Sequence, residues 1–368
     1  MIKILENKKE SPEKLSKFLK KLFQNYDSKI WNWEYGDVAV KRGINIVAID
    51  DQDNNKIIGH YGVFFLPFRI GEKRIWAGKG EASFLDAEHI IQNISKENRK
   101  NLFSQIVKKS LSCLNAKEPT FSFGFPNQLA IKGQVDAGYN LEKLEYLNYK
   151  KVIRMPSITK MNKIFFKDIS KFVFGGLIYF LNSILNFKKI NKSYEYLTRE
   201  NLELVESLNE AFCKKYPNIL TFDRTKKYID WRYLNNAINK KNNFLIKSNN
   251  NCVGFVSSEV KILKKKKVFQ VLDIVALDRK SITNALLAIE TLAKKENCDE
   301  IEIWSRKSKT QCFHGELNRK LKNFGYFSNL KSIEKNVILY FNSSIEKNLV
   351  TEIKNFKNWH IVQALQRI

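Results

Sequence analysis

The sequence predicts an α/β (α+β) protein of two tandem domains, each a mixed, mostly antiparallel sheet flanked by helices. Three observations lead there. The segment Phe121–Tyr139 reads as a strand followed by a helix with cap residues at both ends. That unit and its surroundings recur later in the chain. The length of 368 residues and the 43% hydrophobic content suit two packed domains of ordinary size rather than a disordered chain.

The elements follow in order. Ser11 is a good N-cap, and Pro12 at the first helical position loses nothing by lacking an N–H. Leu15, Phe18, Leu19 and Leu22 then recur at helical spacing. Strands are expected near Asn45–Ile49 and Ile57–Pro67 across an Asn-rich turn, and a third near Glu81–Asp86. On an ideal third strand Glu81, Ser83 and Leu85 share one side, and Ala82, Phe84 and Asp86 the other. An apolar helix is expected over Leu102–Leu114, then the Phe121–Phe125 strand. Asn127 caps the next helix, Gly138 closes it in the left-handed turn, and Tyr139 follows. The second half reads the same way. A helix starts at Thr198, strands lie near Phe244–Lys247, Val253–Lys261 and Val268–Leu277, and a helix covers Ile282–Lys295. The strand Glu300–Ser305 and a helix leading to Gly325 complete it.

Four pairs of segments support duplication. Gly138-Tyr139 and Gly325-Tyr326 lie 187 residues apart, as do Ser11/Glu13/Leu15 and Thr198/Glu200/Leu202. The Asn54–Gly59 turn matches Asn249–Gly254 at 195, and Trp33-Glu34-Tyr35 matches Trp231-Arg232-Tyr233 at 198. The shared order points to two copies with small insertions. The expected boundaries are 1–152, a linker over 153–192, and 193–368.

Five scattered cysteines and four distant histidines suggest neither disulfides nor a metal site, and lysines interrupt every early apolar run as no secretory signal would. A cytoplasmic protein is expected. The net charge of +26 has three explanations: A·T-rich coding bias, an anionic ligand or membrane surface, or nucleic acid. Nucleic acid ranks last because no zinc finger, RNP-like strand or helix-turn-helix accompanies the dense run Lys264–Lys267, which reads as a hairpin tip. Phe172–Phe187 is the most apolar stretch, too short for the roughly 20 residues of a spanning helix. Lysines flank it on both sides. It reads either as an interfacial helix giving peripheral membrane contact or as a linker helix buried between domains.

The pattern Asn127, Ala130, Gly138, Tyr139 after FSFGFP resembles the second half of the GNAT acyl-CoA N-acyltransferase fold, and Gln134 stands where the family often has tyrosine. The resemblance implies acetyl-CoA or another acyl-CoA as co-substrate, no metal, and a small amine or amino-sugar acceptor. It places Leu85, Asp86 and Ala87 where a strand ends beside the thioester. Ser95–Phe103 takes the place of the pyrophosphate loop. No glycine is present there, but Arg99 and Lys100 can meet phosphate, Asn101 can adopt a glycine-like backbone, and Leu102 opens the helix. Asn127 and Ala130 belong to the helix beside the coenzyme. Glu81 is the first candidate base, an expensive charge in an apolar strand unless paired or used, and His89 a second. Tyr139 is the candidate acid. The second copy lacks the loop glycines too, at Asp278–Ile282, and has His314 and Leu321 in the Asn127 and Gln134 slots, so it is expected to be the more degenerate. Two other readings remain: a FemABX-like aminoacyl transferase acting on a lipid-linked precursor, and a non-catalytic binding protein of the same fold.

Overall fold

The computed structural model describes residues 2–7, 12–21, 23–36, 40–117, 120–154, 194–238, 241–249, 251–308, 312–328, 332–360 and 363–365. Ser11, Leu22 and the apolar stretch 172–187 with its reading as a membrane-contacting helix lie outside the described residues. The chain forms two compact units, one of residues up to Leu144 with Lys335–Phe356, the other of Glu145–Glu334 with Lys357 onward. Residues 335–356 thus return late in the chain to the first unit.

The first unit contains β1 (Ile2–Glu6), α1 (Pro12–Leu19), α2 (Ser28–Tyr35), β2 (Ile44–Asp50), β3 (Lys56–Ile70), β4 (Lys73–Leu85), α3 (Ala87–Asn93), α4 (Lys96–Arg99), α5 (Leu102–Ala116), β5 (Phe121–Gly124), α6 (Gln128–Ala137) and the start of β6 (Asn140–Val152). β1 to β4 pair antiparallel in order. β5 then joins β4 in parallel, and the late strand Ile333–Phe341 runs antiparallel on β5, with Ile338 opposite Gly124. α5 turns Leu102, Ile106, Val107, Leu111 and Leu114 onto this sheet, where they meet Ile46, Ile58, Val63 and Tyr61. That spacing is the helical period written in the sequence.

The second unit repeats the plan with β7 (Tyr194–Tyr196), α7 (Leu202–Lys215), β8 (Leu220–Phe222), α8 (Lys226–Ile229), β9 (Asn242–Ser248), β10 (Asn251–Leu263), β11 (Lys266–Ala276), α9 (Arg279–Lys295), β12 (Glu300–Ser305), α10 (Phe313–Asn323) and β13 (Phe327–Ser328). β7, β9, β10 and β11 pair antiparallel, β12 is parallel to β11, and the second half of β6 runs antiparallel on β12. The segments matched in sequence occupy matched places. Asn54 and Asn55 (φ 47° and 54°) and Asn249 (φ 49°) take left-handed turns before a second hairpin strand, and Gly138 and Gly325 (φ 119° and 75°) follow α6 and α10. Trp33 and Trp231 are both buried in the short helical segments before the sheets.

Several local expectations change. β1, α2, α3, α4, β7, β8, α8 and the late strand Ile333–Phe341 are among the additional elements. β4 begins at Lys73, well before Glu81, and Asp86 lies past its end as the N-cap of α3, its Oδ1 accepting from the His89 N–H at 3.3 Å. The alternation expected over Glu81–Asp86 fails because Ala82 takes φ 49° and the β3–β4 register shifts between His60 and Gly62. His314 is not the N-cap of α10: Cys312 is, and His314 is the buried second residue of the helix, its Nδ1 within 3.1 Å of Ser305 Oγ.

Burial lowers the pKa of His60 to about 4 and that of His360 to about 3, and holds that of His314 well below the ordinary value. Each ring is therefore neutral when folded and takes its proton first in the unfolded chain. A folded pKa below the unfolded one makes stability fall with acid from about pH 6.5 down to the folded pKa, by about 1.4 kcal/mol per pH unit per group. Thermal melts between pH 7 and pH 4.5 are expected to show a steep loss of Tm. A flat profile over that window would contradict the buried neutral assignment.

Candidate functional site

β4 cannot follow both of its neighbours. It stays parallel to β5 only through Ala77↔Phe121, Gly78↔Ser122 and Lys79↔Phe123, while its pairing with β3 continues to Leu85. β5 ends at Gly124 and follows the late strand instead. Beyond Lys79 the two parallel strands part.

The bulge that redirects β4 has a specific support. The Ala82 carbonyl can only accept, so His60 Nδ1 carries the proton and donates to it at 2.7 Å. The neutral ring then accepts at Nε2. The Asn45 amide, 2.9 Å away, must turn its NH2 toward that nitrogen. Left-handed backbone at a non-glycine residue costs roughly 1–2 kcal/mol, and this bond offsets part of it at Ala82. Neither His60 nor Asn45 stood out in the sequence. Their only signal is a buried polar residue on each of two apolar strands.

A cleft of about 820 Å³ opens where the strands part. One wall is Gly80–Leu85 of β4, and the other is Gly124–Asn127 with Leu129, Ala130, Lys132, Gly133, Gln134 and Asp136. Arg99 and Asn101–Ser104 close one end. Asn127 Oδ1 caps α6 by accepting from the Ala130 N–H at 2.9 Å. Asn101 sits in the left-handed conformation at φ 60° and ψ 15°, and its side chain makes no cap bond. The first helical bond of α5 runs from Gln105 N to Asn101 O. The N–H groups of Leu102, Phe103 and Ser104 are thus left without acceptors inside the helix, beside the cleft. An N-terminus of this kind attracts anions.

The second unit treats the matching helix differently. Asp278 caps α9, its Oδ1 accepting from the Ser281 N–H and hydroxyl at 2.7 Å each. A carboxylate of the chain itself fills the anion position there. Behind it the interior of the unit is occupied by fully buried Arg224, which donates to both oxygens of Asp273 on β11 (3.0 and 2.8 Å) and to Asn209 and Thr221. The arginine beside it holds the Asp273 carboxyl below its ordinary range despite burial.

The candidate site residues divide into two groups. Glu81, Leu85, Arg99, Asn101, Leu102, Asn127 and Ala130 line the cleft together. Glu81 Oε1 accepts from the ammonium of Lys79, a buried lysine lying 5.3 Å over the Phe64 ring. Asp86, Ala87, His89, Lys100 and Tyr139 do not line it. Asp86 pairs with Lys21 at 2.5 Å. Lys100 and Ala87 are exposed. The His89 ring is buried against Asp50, with Nε2 3.0 Å from Oδ2, because the chain turns into α3 immediately after β4 and carries His89 away. Tyr139 lies behind the wall in a line of hydroxyls that all donate in one direction. Gln134 Nε2 donates to Tyr61 (3.5 Å), Tyr61 to Tyr139 (3.3 Å), Tyr139 to Ser122 Oγ (2.9 Å), and Ser122 to the Gly78 carbonyl (2.8 Å). Burial raises the pKa of both tyrosines, so they remain neutral hydroxyls. Gly80 is required at the splay, since a Cβ there would stand 2.7 Å from the Tyr61 hydroxyl. Among the described residues no cluster of His, Cys, Asp and Glu could hold a metal ion, and no helix is long and apolar enough to cross a membrane.

No family model and no curated protein matches the sequence. Solved structures do match in shape. A protein of unknown function from Enterococcus faecalis described as a probable N-acyltransferase aligns at TM-score 0.62 and 10% identity, over 93% of this chain and 72% of its own. A GCN5-related N-acetyltransferase from Anabaena variabilis aligns at 0.60 and 14%, over 93% and 73%. The N-myristoyltransferase of Saccharomyces cerevisiae with bound myristoyl-CoA aligns at 0.51 and 11%, over 93% and 79%. The chain has the GNAT N-acyltransferase superfamily fold.

His60→Phe keeps the ring volume but orphans the Ala82 carbonyl. It is expected to lower stability by about 1–3 kcal/mol and to speed hydrogen exchange over residues 81–85 while leaving β10 and β11 unchanged. Unaltered exchange at 81–85 would show that His60 does not hold the bulge.

Proposed function

We propose that the first unit is an N-acyltransferase that takes acyl-CoA as donor and a small amine, an amino sugar among the candidates, as acceptor. The observation that carries this reading is that one cleft contains both the parted strands and an uncapped helix N-terminus. A pantetheine arm is a narrow chain with amide groups, suited to lie between strands that have stopped pairing. A pyrophosphate needs N–H donors and positive charge, which Leu102, Phe103 and Ser104 of α5 and the guanidinium of Arg99 supply. Asn101 provides the left-handed turn for which a loop of this kind ordinarily uses glycine. Gln134 adds a second sign of fit: its Oε1 is buried on the cleft wall with no partner among the described residues, an acceptor ready for an amide N–H.

The reaction is direct transfer. The neutral amine nitrogen attacks the thioester carbonyl carbon, the C–S bond breaks, and the thiolate leaves to be protonated. The proton lost by the amine goes to Glu81, the one candidate base that lines the cleft. Lys79 orients that carboxylate. Tyr61 and Tyr139 keep their protons and stiffen the wall through the hydroxyl line rather than ionising. Holding donor and acceptor in one geometry supplies much of the acceleration. The second unit is the degenerate copy in this reading: Asp278 fills the position a pyrophosphate would need.

Titration calorimetry of the full chain with acetyl-CoA and longer acyl-CoAs is expected to give one donor per chain. Asn101→Asp would put a carboxylate at the N-terminus of α5, in competition with a bound anion, and is expected to weaken donor binding by about tenfold or more, equivalent to about 1.4 kcal/mol, with no loss of melting temperature. Glu81→Gln is expected to lower thiol release to an amine panel by roughly 10²–10⁴-fold with the donor Kd unchanged. Absence of binding by any acyl-CoA would refute the reading.

A further inference from the structure

The tip of the β10–β11 hairpin carries a chemical choice that folding alone does not explain. Lys264 and Lys265 form the whole turn, at φ 49° and 67°. Turns with both central residues in this region are normally built from Asn and Gly, because other L side chains crowd the backbone there. Elsewhere the chain obeys that rule. The equivalent hairpin of the first unit, β3 to β4, turns at Gly71 (φ 55°), and Asn54, Asn55, Asn101, Asn249 and Asn297 occupy left-handed positions. Among the described residues the remaining non-glycine case is Ala82 at the bulge. An A·T-rich coding bias does not account for the two lysines, since it supplies asparagine as readily.

The neighbours of the tip add a second property. Ile262 is 78% exposed, next to the turn in register with Lys267, and Lys264, Lys265 and Lys266 face solvent. The base is fixed: the Lys267 N–H donates to Asp299 Oδ2 at 2.8 Å, and the Asp299 N–H to the Lys267 carbonyl at 2.7 Å. The Asp299 carbonyl in turn accepts from the N–H groups of Ile153 and Arg154 at 2.8 and 3.3 Å. The described chain therefore leaves this unit at the same sheet end as the lysine tip. The sequence beyond Arg154 contains Phe172–Phe187, sixteen apolar-rich residues with Lys163, Lys167 and Lys171 before and Lys188, Lys189 and Lys192 after.

We propose that this hairpin tip docks on an anionic bilayer surface, the lysines at the headgroups and Ile262 at the acyl boundary. Cations ringing an exposed aliphatic side chain match a surface that is negative outside and apolar just beneath. A single-stranded nucleic acid would instead call for aromatic or arginine side chains to stack on bases, and the tip has neither. The inference is independent of the donor site in the first unit.

The test is co-sedimentation of the full chain with vesicles of phosphatidylcholine alone and of phosphatidylcholine mixed with phosphatidylglycerol. The wild-type chain should bind only the anionic vesicles, less so as salt rises. The double variant Lys264→Asn, Lys265→Gly restores the favoured turn, so it should melt no lower than wild type while partitioning about tenfold or more weaker onto anionic vesicles. Ile262→Ser should weaken the binding that persists at high salt. Equal binding of wild type and the double variant to anionic vesicles would overturn the proposal. So would equal binding to both vesicle types, or binding to an oligonucleotide with none to vesicles.

Discussion

The parting of two parallel strands is the constraint on which the rest of the first unit depends. A strand in the middle of a sheet satisfies its backbone on both edges. β4 does so only as far as Lys79, because β3 and β5 then demand different paths from it. The bulge at Ala82 settles the conflict by letting β4 stay with β3, and His60 binds the carbonyl that the bulge turns inward. The unsatisfied edges beyond that point become the walls of a cleft. A feature that weakens the sheet locally is therefore what makes room for a ligand, and the surrounding buried hydroxyls and the Gly80–Tyr61 contact hold the opening in place.

The two units share strand order and cap positions yet differ in what stands at the matching helix N-terminus. In the first, a left-handed asparagine exposes the α5 amides. In the second, one carboxylate occupies the equivalent amides of α9. In the second unit the preference of a helix N-terminus for negative charge is met from within the chain, and in the first the Asn101 side chain makes no cap bond. The Arg224–Asp273 pair in the interior of the second unit has the same logic. Once a charged group is buried there, its partner must come from the protein, and the volume is no longer open to anything else.

Many of the helices were legible in the sequence because their signals are local, while the short ones at Ser28–Tyr35, Ala87–Asn93 and Lys96–Arg99 were not. Asn127 and Gly138 mark both ends of α6, Pro12 starts α1, and the apolar spacing of Leu102, Ile106, Leu111 and Leu114 assigns the buried face of α5. The left-handed Asn101 was legible for the same reason, since few residues tolerate that backbone. Strand ends were less so. β4 reads as a short strand at Glu81 because Lys73, Arg74 and Lys79 interrupt its apolar pattern, and buried Lys79 has its ammonium on Glu81 and over the Phe64 ring. The site residues follow the same division. Glu81 and Arg99 were accessible to a reading of charge and position. His89 looked equally placed in the sequence, but one residue of turn at Asp86 carries it behind the sheet to Asp50.

By itself the sequence determined two related α/β copies with many of their caps and turns, since propensity, periodicity and repetition act over a few residues. Only the tertiary structure decided which residues share a cleft. That outcome rests on contacts between strands far apart in the chain, such as the His60–Ala82 bond and the return of Ile333–Phe341 to β5. A one-residue bulge changes which way every following side chain points, and nothing local to Ala82 announces it.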